Sequence, residues 1–475
     1  MNAGIYKDAT SLEINLAVDA AHKCFIEFKN MPSIQKSAFL RSIAKRVEEN
    51  RSLIIQTTDR ETHLGKARLE GEFNRTLEQI LAFAQLAENE SWKERIKEKS
   101  NVPGSTHSKS QIIKENIPIG PVLIIGACNF PLAISVVGTD TASALAVGCP
   151  VIVKSHPRHP ETCQLLSDAV EKAKKDMQMP PGCFTLLHGE NQEVTAQLVN
   201  HEKTACVAFT GSLNGGSALY QVAHKRESPI PFYAEMGSLN PIFVSPQAMR
   251  ERGDELLCSY IDAVNLFAGQ MCTKPGALVM LKESFRQINL ESFRDYIRQQ
   301  QSLPMLNRDV YENYEQNCLN ISKELQTIAH SKNSYSKTKW LGQVNIFLIE
   351  ADEFLRRPEL RTEAFGPSSM IVIADTLEEM KEIAKSCEGS LTGSIHVGDD
   401  DHSFIQKIFS ILESKVGRIV WNGFPPGVIP GPATHHGGPW PATTDSRFTS
   451  IGLQGFRRFV RPICRQGFPD LPGMP

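Results

Sequence analysis

The sequence predicts an α/β protein of two doubly wound αβα units with a small β arm, and three observations carry that expectation. The first is length. At 475 residues the chain exceeds the roughly 250–300 residues at which single cores stop growing. The second is a run of short apolar segments alternating with amphipathic ones between residues 121 and 244, the pattern of parallel βαβ crossovers. The third is composition: 41% hydrophobic residues support large cores, and 51 Lys plus Arg against 53 Asp plus Glu leave no basic stripe for nucleic acid.

Taken in order, residues 11–100 read as long charged helices with apolar residues three and four apart, wrapped around a sheet. Residues 101–118 are polar, contain Pro103 and Gly104, and include SQIIKENIP, an exposed strand in a linker or assembly arm. Nothing between Glu115 and Asp140 carries a formal charge, a span long enough to cross a bilayer. Pro118, Pro121 and Pro131 interrupt it, so we read a buried strand (121–127), the loop CNFP (128–131) and a buried helix from about Leu132 to Val147, with no membrane span.

GCP at 148–150 ends that helix and VIVK at 151–154 is the next strand. HPET opens a helix; FTLLHG, CVAFTG, PFYAEM and PIFVS read as strands, and NQEVTAQLVN and GGSALYQVAHKR as helices. A second unit follows residue 236, with helices near 247–268, 309–328 and 376–387 and strands near 277–281, 369–374 and 418–421. The expected partition is 1–100 with 119–235 for the first unit, 236–459 for the second, and 101–118 with 460–475 for the arm.

Eleven cysteines without a CxxC pair, and no secretory leader, favour reduced thiols in a cytoplasm. GxGxxG, GxxxxGK[ST], HExxH and GxSxG are all absent, which argues against the usual dinucleotide fingerprint, a P-loop, a zincin and an α/β-hydrolase; no metal site is expected.

What remains are polar loops in apolar surroundings: CNFP, FTGSLNGG (209–216), AEMGSLNP (234–241) and FAGQMCTKPG (267–276). Glu235, ending an apolar strand, is costly to bury, so its pKa is expected to rise toward a general base's range; capping a turn is the structural alternative. Cys272 sits in a turn-like setting that exposes a thiol to backbone N–H groups, or is simply an inert buried cysteine. Asn129 offers a neutral amide for an oxyanion, or bonds its own loop.

Together these residues form a known pattern. PIGPVLIIGACNFPL, VIVKSHPRHP, FTGS with Gly216, AEMGSLNP, GQMCT, EAFGP (363–367) and WNGFP occur in the order and spacing of the aldehyde dehydrogenase superfamily, which the chain resembles from about residue 15 to about 465. HHGGPWPATTDSRFTSIG and RLEGEFNRT most resemble its NADP-dependent branch of 2,5-dioxovalerate and bacterial fatty-aldehyde dehydrogenases. The resemblance implies Rossmann-like cofactor and catalytic domains, a β oligomerisation arm, and oxidation of an aldehyde through a cysteine thiohemiacetal and thioester.

It further implies Cys272 as nucleophile, Glu235 as base and Asn129 as oxyanion donor. Lys154 matches the residue on the adenosine ribose and Glu363 that on the nicotinamide ribose, with Phe365, Thr210, Gly211, Ser212, Gly216 and Gly237 also at the cofactor. Where NAD-specific members often carry a glutamate, Pro157 stands here, followed by Arg158, which favours a 2′-phosphate and hence NADP, with NAD possible. Phe130, Ile134, Val137 and Met271 would line the aldehyde's approach, and Arg75 or Arg447 would hold a distal carboxylate. 2,5-Dioxovalerate ranks ahead of a medium- or long-chain fatty aldehyde. An acylating dehydrogenase or a non-catalytic protein on the same fold remains a remoter reading, and a homodimer or homotetramer is implied.

Overall fold

Val122–Ile125 and Val151–Lys154 are buried along their whole length, as expected of β-branched strands covered on both faces. They lie inside a five-stranded parallel sheet ordered Phe184–Leu187, Val151–Lys154, Val122–Ile125, Cys206–Thr210 and Phe232–Glu235. The computed structural model describes residues 6–99, 111–332, 336, 339–361, 363–399 and 401–467. Helices Ser11–Phe28, Ser33–Glu49, Arg51–Thr62 and Lys66–Glu88 precede the sheet, the first started by a Thr10–Glu13 capping box. Their Phe28, Phe39, Phe73 and Phe83 share one core with Val122 and Val151.

The second sheet has seven strands, ordered Gln326–His330, Asn345–Glu350, Ser368–Ala374, Ala277–Leu281, Pro241–Val244, Ser390–His396 and Val416–Trp421. All pairings are parallel except at the Gln326–His330 edge. A third, antiparallel sheet joins Ile96–Lys99, Gln111–Pro118 and Val460–Gln466. Buried Glu115 is clamped there between Arg95 (2.6 Å) and Arg465. The arm read from sequence thus has strands on both sides of 100–110, a stretch outside the described residues, as is 468–475. Among the described residues no helix is long and apolar enough to cross a membrane.

Four readings need correction. The helix expected from Leu132 begins at Thr139 (Thr139–Val147), and residues 131–137 form turns. The reason is close packing: a Cβ at Gly138 would lie 2.2 Å from the Ala133 carbonyl oxygen, and one at Gly126 2.2 Å from that of Ile134. The helix near 309–328 spans Arg308–Glu324, after which extended Leu325 leads into the edge strand. Helix Pro246–Asn265 stops short of 268 because Phe267, Ala268 and Gly269 take left-handed φ of 54°, 55° and 62°. Strands Asn345–Glu350 and Ser390–His396 were not foreseen. In addition, Phe456 and Phe459, placed by sequence in the second unit, pack in the core of the first.

Candidate active site

The carboxyl ends of the first sheet carry the polar loops. Register aligns Ile125 with Lys154 and with Phe209, and Thr210 with Glu235, so the CNFP, FTGS and AEMGS loops leave neighbouring strands. From the second sheet come loops that enter strands: Cys272 precedes Ala277–Leu281, and Glu363 precedes Ser368–Ala374.

Helix Lys66–Glu88 holds CNFP from one side. Arg68, Glu72 and Arg75 recur at i, i+4 and i+7, on one face. Glu72, buried, accepts the N–H groups of Leu132 (2.8 Å) and Ala133 (3.0 Å), while Arg68 donates to the Asn129 carbonyl. The guanidiniums of Arg68 and Arg75 lie 4.9 Å and 5.5 Å from the centre of the Phe130 ring.

The Cys272 loop is held as firmly. A Cβ on Gly269 would meet the Gly366 oxygen at 2.2 Å, so glycine is required at this left-handed position. Asn240, fully buried, donates through Nδ2 to the carbonyls of Cys272 (2.8 Å) and Lys274 (2.9 Å). Lys274 Nζ, also buried, donates to the Ser368 carbonyl at 2.6 Å. Asn129 Nδ2 donates to the Gln270 carbonyl at 3.1 Å, which ties the first unit's loop to the nucleophile turn and leaves its second N–H for a ligand.

Cys272, Glu235 and His436 meet at one point. Cys272 Sγ is 3.6 Å from His436 Nε2, and His436 Nδ1 lies 3.0 Å from Glu235 Oε2. Ser450 Oγ donates to the same carboxylate oxygen, and Thr449 Oγ1 accepts from the His436 N–H at 2.8 Å. His436 escaped the sequence reading. It lies 164 residues beyond Cys272, in a Gly/Pro-rich tail, and only tertiary contact reveals it; the HHGG motif was its one signal.

The electrostatics reverse one expectation. Burial does push Glu235 up, but His436, the Ser450 hydroxyl and the Cys272 thiol outweigh it and hold the carboxyl below its ordinary range. The thiol behaves oppositely: burial, then Glu235 and Glu363, push Cys272 well above the usual cysteine value, with Arg75 opposing. Cys272 is therefore a protonated thiol beside an ionised carboxylate.

The cofactor candidates fall around this centre. Gly216 lies so close to Met236 that a Cβ would meet its Sδ at 2.5 Å, and Ser212 Oγ caps helix Leu213–His224 by accepting from Gly215 N–H (3.2 Å). That helix start sits directly after Thr210 and Gly211, an arrangement suited to a pyrophosphate. A Cβ on Gly237 would fall 2.4 Å from Glu363 Oε2, and burial pushes the Glu363 carboxyl up to about 7. Phe365 is half-buried and Lys154 buried at its strand end. Arg158 is not free: it pairs with Glu190 (3.1 Å) and with Asp309.

Of the proposed substrate residues, Met271 is buried and Phe130 and Ile134 are half-buried, whereas Val137 is packed in the first core. Arg75 is mostly buried, its charge acts on Cys272 and Glu235, and its Nε has no hydrogen-bond partner among the described residues. Arg447 is not brought to this centre: its side chain is 80% exposed and bound by Asp445 at 2.6 Å.

The model of the aldehyde dehydrogenase family matches residues 2–438. The chain belongs to the aldehyde dehydrogenase family. It is an oxidoreductase acting on aldehydes, of a family that uses NAD(P). Among its relatives is alpha-ketoglutaric semialdehyde dehydrogenase 2 of Azospirillum brasilense, 33% identical over 99% of this chain and 90% of that protein. Alpha-ketoglutaric semialdehyde dehydrogenase of Acinetobacter baylyi is 34% identical over 97% and 88%. A 1-pyrroline-5-carboxylate dehydrogenase mutant from Thermus thermophilus shares the fold, with a TM-score of 0.81 at 20% identity over 97% of this chain and 87% of its own.

Proposed function

We propose that this aldehyde dehydrogenase oxidises 2,5-dioxovalerate to 2-oxoglutarate, with Cys272 as nucleophile, Glu235 as base and Asn129 as oxyanion donor. The observation that carries the chemistry is the contact of Cys272, His436 and Glu235, with the Asn129 amide bound to the Gln270 carbonyl two residues before the cysteine. Because the thiol is held protonated, its deprotonation accompanies attack: the proton passes to Glu235, steadied by His436, as sulfur bonds to the aldehyde carbon. The oxyanion so formed is held by Asn129 Nδ2 and the Cys272 N–H.

Lys154, Thr210, Gly211, Ser212, Gly216, Gly237, Glu363 and Phe365 would hold the dinucleotide; the crowding at Gly216 and the capped helix start fit it. The nicotinamide, when bound, supplies the hydride acceptor that turns the thiohemiacetal into a thioester. Once Glu235 has passed the thiol proton on to solvent, it takes a proton from water, whose oxygen bonds to the acyl carbon; the C–S bond breaks, Glu235 returns that proton to the sulfur, and the acid leaves as carboxylate after losing its own proton to solvent.

The acidic substrate is supported by the two semialdehyde dehydrogenase relatives and by Arg75, a mostly buried guanidinium whose charge reaches Cys272. NADP is favoured by Arg158 beside Pro157, but its two carboxylate partners mean that a 2′-phosphate must displace at least one of them. We further assign the arm sheet, whose outer strands are Ile96–Lys99 and Val460–Gln466, to homodimer or tetramer assembly, and the eleven free thiols to a cytoplasm.

One panel tests the reading: kcat/KM for 2,5-dioxovalerate and hexanal, each with NADP and NAD, on the wild type and Arg75→Ala. We expect the dicarbonyl acid with NADP to lead, and Arg75→Ala to raise KM for it by ~10-fold or more while sparing hexanal. Equal effects on both aldehydes remove Arg75 from recognition, and a hexanal preference favours the fatty-aldehyde reading. A clear NAD advantage ends the NADP assignment.

A further inference from the structure

The residues that meet at the active centre are also a metal-ligand set. One thiol, one imidazole and one carboxylate, from Cys272, His436 and Glu235, place their ligand atoms within 4.8 Å of one another. A tetrahedral zinc ion with a Zn–S bond of about 2.3 Å and a Zn–N bond of about 2.0 Å separates its sulfur and nitrogen ligands by roughly 3.5 Å. Cys272 Sγ and His436 Nε2 stand 3.6 Å apart. Glu235 Oε1 is a second indication: it is buried, in a residue 4% exposed, and apart from the hydrogen bond that the Cys272 thiol, itself a proposed ligand, gives this carboxylate, Oε1 meets no donor among the described residues. The carboxylate is held from outside by Ser450, whose hydroxyl donates to Glu235 Oε2.

We propose that Cys272, His436 and Glu235 form a reversible inhibitory site for a borderline-soft divalent cation of the zinc class. Binding forms a sulfur–metal bond and releases the thiol proton to solvent, with no change of oxidation state. The metal occupies the sulfur lone pair that would attack the aldehyde, so it competes with substrate.

The test is titration of the full-length protein with Co²⁺ and Zn²⁺ alone, read by sulfur-to-cobalt charge-transfer absorption and by calorimetry, neither of which needs activity. The wild type should bind one equivalent, with the thiolate band. Cys272→Ser should lose the band, and His436→Ala should weaken binding by ~100-fold or more, since even loss of an outer-shell partner costs 10–100-fold. Fluorescence quenching by added dinucleotide verifies that both variants are folded, and Asp352→Asn, an exposed carboxylate paired with Arg356, serves as the control. A band that survives in Cys272→Ser, or a His436→Ala affinity equal to wild type, overturns the proposal, as does a wild type that binds no Co²⁺. Failure of the aldehyde chemistry with metal binding intact would instead overturn the catalytic reading and leave the site standing.

Discussion

Two cysteines of this protein stand beside a histidine, and they behave in opposite ways. Cys163 Sγ lies 3.3 Å from His159 Nδ1, and Cys272 Sγ lies 3.6 Å from His436 Nε2. Burial pushes both thiols up. At Cys163 the His159 charge and hydrogen bond, with those of Ser155 and Ser135, overcome burial and pull the thiol below its usual value. At Cys272 the neighbouring Glu235 and Glu363 add to burial and drive it well above. A nearby imidazole therefore does not by itself make a thiolate. What decides is whether carboxylates act on the sulfur itself, and whether a substrate can arrive: Cys163 is fully buried, and Cys272 is partly exposed.

The comparison breaks most visibly at the two sulfurs. Cys272→Ser should lower turnover by ~10⁴-fold or more, because the oxygen nucleophile is far weaker and the site is built for sulfur. Undiminished oxidation of every aldehyde offered would refute the thioester route. Glu235→Gln comes next, with kcat down about 10²–10⁴-fold. Rapid mixing should then show that the first turnover of reduced cofactor slows along with the steady rate, since Glu235 serves both attack and hydrolysis; a burst at the wild-type rate would confine Glu235 to hydrolysis, and restored turnover on adding coenzyme A would revive the acylating reading.

His436→Asn sharpens the contrast by removing the imidazole from one pair only. His436 holds Glu235 below its ordinary range, so without it the carboxyl takes up its proton at a higher pH. The acid limb of kcat/KM should accordingly move up in pH, with kcat reduced roughly 10- to 100-fold. An unmoved limb would show that His436 does not set the ionisation of Glu235. Cys163→Ala should have the smallest effect, lowering stability by ~1–2 kcal/mol in denaturant melts and changing kcat by less than about twofold. A large loss of activity there would make Cys163 part of the machinery.

The first unit was largely legible because its strands are short apolar runs between turn residues, and Lys154, Thr210 and Glu235 end such strands. The second unit was read less completely. Gln326–His330 mixes polar and apolar residues as an edge strand does, so it was absorbed into the preceding helix. Ser390–His396 carries serine, threonine and glycine although it is wholly buried, because its neighbours on both sides supply the packing. The arginines divided for the same reason: Arg75 and Arg447 look alike in sequence, and only burial separates a guanidinium facing Cys272 from one held in solvent by Asp445.

By its order of residues alone this chain determined two largely parallel sheets and singled out Cys272, Glu235 and Asn129 as candidates, since alternation and local motifs are short-range properties. The folded molecule alone decided that His436 joins them, that Arg158 is already paired, and that Glu235 is held ionised. Those outcomes depend on charges and donors distant along the chain that close packing brings within a few ångströms, where low polarity makes each of them count.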